Sequence, residues 1–582
     1  MFSTSSEKIF NRSSTTTTEI TVSSSNKGAA SLWGQFVDSF RPNEVYLANA
    51  RSTTYSDGYD MEAAAKRTAL SPLSRSLKGR HLQMIAIGGS IGTGLFINSG
   101  KALSNGGPAS LLIAFGVIGI MLYTVVHALG ELAVLFPVAG SFSTYSARFI
   151  DPAWGFAMGW NYAIQWLVVF PLELVAASIT LHYWQVNINN AIWIAIFWTL
   201  IVGINFVGVK GYGEAEFIFS LVKIVSVIGF IILGIVLVCG GGPVRGYIGT
   251  KYWADPGAFN HGFKGLCSVF VTAAFAFSGT ELVGLAAAET ANPRKALPSA
   301  IKQVFWRITL FYIIALSLVG LLVPYNSPQL LDAKSPVDAA ASPFVISIQN
   351  AGIAGLPSVF NVVILISVLS VGNSSVYGCS RTLASLGDMG LAPKQLAYID
   401  KSGRPLVGII VTSIFGLIAF VSASPKEADV FNWLLALSGL SSIFTWASVC
   451  LAHILFRRAW KIQGHSLDEL AFKSQPGVIG SAIGFILNLV ILASQFWIAV
   501  WPRGKQPTAE AFFQSFLAAP VVVACFVGYK IWQKTKFVKP SDADLVSGRR
   551  EVDTPSLIEE LDAEREVLRH RHLVYRVYKY WC

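Results

Sequence analysis

The chain has 582 residues, of which 53% are hydrophobic and only 13% charged, with a formal net charge of +11. A soluble protein carries about a quarter charged residues, so this composition excludes an ordinary soluble domain and points to a membrane protein. The positive charge mostly flanks apolar runs and nowhere forms a basic cluster interleaved with aromatics on a polar domain, so no nucleic-acid partner is expected. The six cysteines are widely spaced and offer neither metal-ligand spacing nor a disulfide framework. No metal, cofactor or catalysed reaction is implied, and no G-x-x-x-x-G-K-S/T loop supports nucleotide-driven pumping.

Residues 1–75 are rich in Ser and Thr and read as a disordered tail with no apolar run to serve as a cleavable signal peptide. A transmembrane domain follows over 76–534. Its apolar runs of about 20 residues each suffice to cross a bilayer as a helix. About twelve are expected, near 81–102, 109–135, 155–182, 191–209, 216–239, 265–288, 304–324, 356–384, 406–423, 430–456, 478–501 and 510–533. The third is expected to be interrupted by Pro171 and Glu173. Lys and Arg concentrate in one set of loops (Lys210; Arg294, Lys295 and Lys302; Arg381, Lys394, Lys401 and Arg404; Arg457, Arg458, Lys461 and Lys473). The positive-inside rule therefore makes both tails cytoplasmic. The C-terminal tail, 535–582, contains an amphipathic helix beginning near Ser556 and ends in a dense run of aromatics and cations suited to a membrane interface. Its last residue, Cys582, is a candidate for palmitoylation. Cys379, Cys450 and Cys525 read as packing residues; Cys239 and Cys267 flank one exterior loop, where unpaired thiols are the main reading and a disulfide the lesser one. Asn11 and Asn373 begin sequons, but neither position is expected to be glycosylated.

Two runs carry helix-breaking sequences. Gly89-Ser90-Ile91-Gly92-Thr93-Gly94 lies in the first and Phe275-Ala276-Phe277-Ser278-Gly279-Thr280-Glu281 in the sixth. Glycine inside a helix costs roughly 1 kcal/mol relative to alanine, and the backbone groups it frees find no partner in hydrocarbon. A bound zwitterion supplies both kinds of partner, a carboxylate for N–H groups at half-helix N-termini and an ammonium for carbonyls at C-termini. Broken helices near the bilayer midplane mark substrate sites in secondary transporters; the other use of such glycines is close helix packing. A separation of five spans fits two five-helix repeats, the second inverted because five is odd. The expected fold is an all-α polytopic membrane protein with the 5+5 inverted repeat of LeuT-type transporters plus two helices.

Ionisable groups within spans are costly enough to suggest function. Glu173, among Val169, Phe170, Leu172 and Val175, reads as a proton carrier, with permanent pairing to a cation as the alternative. Glu281, just beyond the sixth-helix break, competes for that role. His127 reads as a packing residue, and Asn161 and Gln165 as bridges between helices.

The segment from Met84 to Phe96 resembles the first-helix signature of the amino acid–polyamine–organocation superfamily. Gly130-Glu131-Leu132-Ala133, Phe149-Ile150-Asp151-Pro152, the stretch from Asn205 to Glu214, and Pro293-Arg294-Lys295 resemble the fungal amino acid permeases. Leu369-Ser370-Val371-Gly372-Asn373-Ser374, Phe431-Asn432-Trp433-Leu434-Leu435 and the terminal Trp581-Cys582 are similar to the fungal general amino acid permeases. The resemblance runs from about His81 to the last residue. It implies proton-driven import of amino acids, with broad selectivity, across the plasma membrane by alternating access. On matching positions it implies that Thr93 and Gly94 bind the substrate carboxylate, and that the carbonyls of Ser90, Phe275 and Ser278 bind the α-amino group. Ile91, Gly92 and Gly279, within the two breaks, complete the implied substrate-binding set. Phe277 matches an aromatic that closes over the substrate, and Ser370 and Val371 match eighth-helix positions at the permeation site. Ser441, Ser442 and Thr445 are further side-chain candidates. Lys223 matches a fifth-helix lysine whose ammonium stands where sodium-coupled relatives hold a sodium ion; the alternative is a lysine snorkelling to the cytoplasmic face. Lys8 and Lys27 are implied ubiquitin acceptors for ubiquitin-ligase machinery acting on the tails, with cycling through endosomes and vacuole. A narrower permease, for basic amino acids for example, an amino acid exchanger and a nutrient sensor stay open as alternatives.

Overall fold

The computed structural model describes residues 32–46, 59–185, 188–244, 246–331, 342–423, 427–502 and 506–549, with scattered positions between 559 and 576. Lys8, Asn11, Lys27, Cys582 and most of the amphipathic C-terminal segment lie outside the described residues. The principal helices, in chain order, are α1 (Leu32–Asp38), α2 (Met61–Ala69), α3 (Gly79–Gly88), α4 (Thr93–Phe96), α5 (Asn98–Leu135), α6 (Phe142–Phe149), α7 (Pro152–Thr180), α8 (Asn190–Phe206), α9 (Val209–Val238), α10 (Gly262–Phe277), α11 (Leu282–Ala286), α12 (Pro293–Leu322), α13 (Pro343–Asn350), α14 (Leu356–Met389), α15 (Leu406–Gly416), α16 (Glu427–Ile462), α17 (Gly477–Val500), α18 (Ala509–Phe516) and α19 (Ala518–Gln533).

Apolar runs become helices because hydrocarbon leaves the backbone no partner but itself. Among the described residues eight stretches are long and apolar enough to cross a membrane. The 73° bent pair α18–α19 makes a ninth, and Asn190–Phe206 and Leu406–Val421 are shorter apolar rods. α5 is two rods joined at Gly107, whose φ of 81° and following Pro108 end one helix and start the next. The backbone groups freed there are taken by a neighbouring loop, with Asn260 N donating to Gly106 O at 2.8 Å and Ala109 N to Ala258 O at 2.9 Å. With that division, and with α3–α4 as the start of the first span, the helices cover all twelve expected segments.

Pro171 does not interrupt the third span, contrary to expectation, because α7 runs through it. α7 is the central rod: 89% of its apolar window is buried, against 33% for α9 and 28% for α17. Packing on all sides holds the helix across the one hydrogen bond that a proline removes. α14 and α16 lie along α7, α5 lies along α10, and α9 supports α3. The outer face of α9 exposes Ile218, Val225 and Ile232, an apolar surface suited to lipid.

The tail boundaries need correction for the described segments. Residues 39–46 lie on the loop before α15: Lys401 N donates to Arg41 O at 2.8 Å, and Asn43 N to Ile399 O at 3.0 Å. The buried Arg404 reaches Ser39 Oγ at 2.8 Å and covers the Phe40 ring. α2 falls within the tail expected to be disordered, yet Arg67 of α2 donates to Asp388 O at 2.6 Å. Beyond residue 534, Val538 N donates to Ile150 O at 2.9 Å, Gln463 Nε2 to Ala543 O at 2.8 Å and Arg148 Nη1 to Ser547 O at 2.8 Å. Gly548 lies against Ala69, so the two tails meet at one end of the bundle. A polar segment cannot build a core of its own, but it can order itself on one that exists. Cys239 and Cys267 do not pair: both thiols are free, Cys267 buried in α10 and Cys239 exposed.

Candidate functional site

The first break spans residues 89–92. α3 ends at Gly88, Gly89 N makes a last helical bond to Ile85 O at 3.0 Å, and Gly92 (φ −157°, ψ −145°) caps α4. The second break spans 278–281, where Ser278 turns extended and Gly279 takes φ +94°. The two breaks touch backbone to backbone. A Cβ on Gly279 would lie 2.5 Å from Gly89 O, and one on Gly94 would lie 2.3 Å from Ala276 Cα. Glycine at 279 thus answers both a left-handed turn and a close approach. Tyr312 of α12 ties the breaks together, its hydroxyl 2.9 Å from Ser90 O and 2.8 Å from Ala276 O.

Between the breaks and α7 lies a cavity of about 20 Å³, room for roughly one water molecule. Of the residues expected at the site, Ser90, Gly92, Thr93, Gly94, Glu173, Phe275, Ser278 and Val371 line it, joined by Gly89, Trp166 and Val169. Glu173 is 1% exposed. Its Oε2 accepts a hydrogen bond from the Thr93 hydroxyl, and its Oε1 has no hydrogen-bond partner among the described residues. Gln165 Nε2 donates to Ser278 Oγ at 2.8 Å and to Ser442 Oγ at 2.9 Å. Asn161 Nδ2 reaches Ser441 O at 3.0 Å and Thr445 Oγ1 at 3.3 Å. Both amides therefore bridge α7 to α16, and Ser441, Ser442 and Thr445 sit behind the cavity wall, not on it.

Ile91, Phe277, Gly279, Ser370, Glu281 and Lys223 do not line the cavity either. Phe277 packs on Tyr312 (ring centroids 4.0 Å apart) and Phe115 (5.8 Å). Glu281 turns into the scaffold, where it accepts from Gly279 N, Tyr162 Oη and Trp446 Nε1, each at 3.2 Å. Lys223 is fully buried and does not snorkel; its Nζ donates to Gly88 O and to Ser370 Oγ, both at 2.7 Å. Ser370 in turn donates to Glu216 Oε2 at 2.7 Å, so its side chain points to α9 while its neighbour Val371 faces the cavity. His127 packs between Tyr123 and Phe472.

At the tail-bearing end both half-helices are closed. Leu77, just before α3, pairs with the strand-like turn after α11, with Leu77 N to Glu289 O at 3.0 Å and Ala291 N to Leu77 O at 3.1 Å. Glu289 is latched to α14 by the Tyr377 hydroxyl at 2.7 Å and Arg381 Nε at 3.2 Å. Sequence reasoning missed Tyr312, Trp166 and this latch, since nothing in their spacing sets them apart from core residues. Glu216 carried the same signal as Glu173, an ionisable group in an apolar span, and was given no role.

The family model described as amino acid permease matches residues 81–541. The general amino-acid permease GAP2 of Candida albicans is 62% identical over 526 residues, covering 90% of this chain and 89% of that protein. The general amino-acid permease GAP1 of Saccharomyces cerevisiae is 54% identical over 569 residues, covering 96% and 93%. The histidine permease of Saccharomyces cerevisiae is 53% identical over 518 residues, covering 88% and 86%. A matching model over most of the chain, and relatives this similar over nearly their whole length, fit the two broken helices and the small cavity between them: the chain belongs to the amino acid permease family, whose members are membrane transporters and not enzymes.

Proposed function

We propose that this protein is a proton-coupled symporter that imports amino acids of many kinds across the plasma membrane by alternating access. The observation that supports this best is Glu173, a buried carboxyl at a cavity between two broken helices, bonded to the hydroxyl of Thr93 at the start of α4. The first amides of α4, at Thr93 and Gly94, have no intrahelical acceptor and suit a substrate carboxylate. The carbonyls of Ser90, Phe275 and Ser278 suit its ammonium. Main-chain groups address only what all α-amino acids share, which favours broad selectivity. A substrate carboxylate arriving beside Thr93 meets a like charge on Glu173 unless a proton is already there. Proton and substrate therefore favour one another, and by reciprocity each binds better with the other present.

The cavity is too small for an amino acid, so loading requires α3–α4 and α10–α11 to shift against the α7 and α14 scaffold. Lys223, bonded to the last carbonyl of α3, supplies a positive charge, when protonated, where a metal ion would otherwise be needed. Both tails face the cytoplasm in this reading, with Lys8 and Lys27 as ubiquitin acceptors that send the protein through endosomes, and Cys582 as a lipid anchor point. The test uses purified protein in liposomes under an inward proton gradient, with several labelled amino acids. Accumulation of chemically diverse substrates in proportion to the gradient is the expected result. Uptake of basic amino acids alone would indicate a narrow permease. Uptake only against internal substrate, whatever the gradient, would indicate an exchanger, and binding without uptake a sensor.

A further inference from the structure

Below the cavity a second buried carboxyl, Glu216, is wired to Lys223. Nζ of Lys223 donates to Ser370 Oγ at 2.7 Å, and Ser370 Oγ donates onward to Glu216 Oε2 at 2.7 Å. The serine hydroxyl thus accepts on one side and gives on the other, the series arrangement that passing a proton along hydrogen bonds requires. Glu216 lies seven residues, about 10 Å along α9, nearer the tail-bearing end than Lys223. All three side chains are fully buried.

We propose that Glu216 is a second station of the proton path, receiving through Ser370 the proton that Lys223 carries; this rests on the proton-coupling reading above. In the step, one Nζ–H bond of Lys223 breaks as a bond to Ser370 Oγ forms, and the proton of Ser370 moves to Glu216 Oε2. The ammonium and carboxylate become an amine and a carboxylic acid, no electrons are exchanged, and the serine then reorients. Lys223 regains a proton from the one Glu173 takes up at the cavity, and Glu173 returns to its carboxylate, so the two steps together move one proton from the cavity to Glu216.

The surroundings of Glu216 fit a receiving group. Asn373 Nδ2 of α14 donates to its Oε1 at 3.0 Å and is itself held by Asn205 of α8. Both carboxylate oxygens are therefore occupied by donors before any proton arrives. Tyr212 of α9 and Ser374 of α14 also face it, their hydroxyls 3.1 Å apart. On α3 its neighbour is Gly88, which carries no charge. The Tyr212 ring stacks on Tyr377 at 4.0 Å, and Tyr377 donates to Glu289 of the latch. Glu289 and Arg381 are the next charged groups in that direction, so opening the latch brings water toward Glu216 and allows release.

The experiment measures proton influx and substrate exchange side by side in proteoliposomes, with an internal pH-sensitive dye and labelled substrate, for the wild type, Glu173→Gln, Glu216→Gln, Ser370→Ala and Ser370→Thr. The ratio of proton influx to exchange should fall about tenfold in Glu216→Gln and in Ser370→Ala, a size typical of energetic coupling between sites. It should recover in Ser370→Thr, which restores the hydroxyl. If influx and exchange fall together in Glu216→Gln, leaving the ratio unchanged, Glu216 is a structural partner of Lys223 and the relay is refuted. If Glu216→Gln does not reach the membrane folded, Ser370→Ala decides alone by the same ratio. A wild type that moves substrate without protons refutes the coupling reading, and the relay falls with it. A normal ratio in Glu216→Gln beside a lost one in Glu173→Gln refutes the relay and leaves coupling intact.

Discussion

Alanine at Gly94 tests whether the two broken helices must touch for the site to exist. The new Cβ would sit 2.3 Å from Ala276 Cα, 2.8 Å from its Cβ and 2.9 Å from its backbone nitrogen, where ordinary contact begins near 3.4 Å. Two of those three atoms are backbone, so no rotamer change relieves the clash, and α4 and α10 must part by about 1 Å. Overpacking of this kind costs typically 1–3 kcal/mol, and a backbone obstacle belongs at the upper end. If that cost falls on the substrate-binding state, about 3 kcal/mol lowers initial uptake roughly 100-fold. Gly88 is the control. Its Cβ would meet Ser220 Oγ at 1.7 Å and Ser220 Cβ at 2.9 Å, both side-chain atoms, so Ser220→Gly should rescue Gly88→Ala. Ala276→Gly should not rescue Gly94→Ala, because Cα and N of residue 276 remain. The assay is initial uptake of labelled amino acid per molecule at the cell surface. Uptake at the wild-type rate by a correctly delivered Gly94→Ala protein, or its restoration by Ala276→Gly, would refute the close-packing argument.

Glu173→Gln imitates the protonated carboxyl, so substrate exchange at zero gradient should continue while accumulation under an inward proton gradient is lost; gradient-proportional accumulation would exclude Glu173 as the carrier. Val371, and not Ser370, has its side chain at the cavity, so Val371→Ala and Val371→Leu should reorder uptake among amino acids by size, and an equal fractional loss for all substrates would argue against a wall position. Glu289→Gln leaves the Arg381 guanidinium, only 3% exposed, without its counter-charge; a loss of about 3 kcal/mol is expected for a broken buried pair, read as a lowered melting temperature in detergent. Burial alone would raise the Asp544 carboxyl, but Arg148 and the amides of Ser547 and Val546 hold it below the ordinary value. Its contribution to docking of the C-terminal segment is therefore complete above about pH 4, the unfolded value, and is lost as pH falls through the lower folded value. Limited proteolysis of that segment should be unchanged between pH 8 and pH 5 and faster below about pH 4; faster cleavage already at pH 5 would count against Asp544 as the anchor.

The sequence determined the helical, membrane-spanning class, the order of spans and the position of both breaks. Each depends on a local cost: apolar length against bilayer thickness, and glycine and serine against helix continuation. Glu173 stood out for the same reason, since a carboxyl among Val169, Phe170 and Leu172 is expensive wherever the helix turns. Composition misled for the described tail segments 39–46 and 61–69, because Ser/Thr content reports that a segment cannot fold alone and is silent on whether a bundle surface will hold it. Pro171 misled because its cost as a helix breaker was outweighed by the packing around α7. Only the tertiary structure decided that Val371 faces the cavity while Ser370 faces Lys223 and Glu216, that Tyr312 closes over Ser90 and Ala276, and that Gly94 has no room for a Cβ. Adjacent residues on a helix point about 100° apart, so which of the two meets the site depends on the rotation of α14 against its neighbours. That rotation is set by the sum of many small packing contacts between segments distant in sequence, which local patterns do not encode.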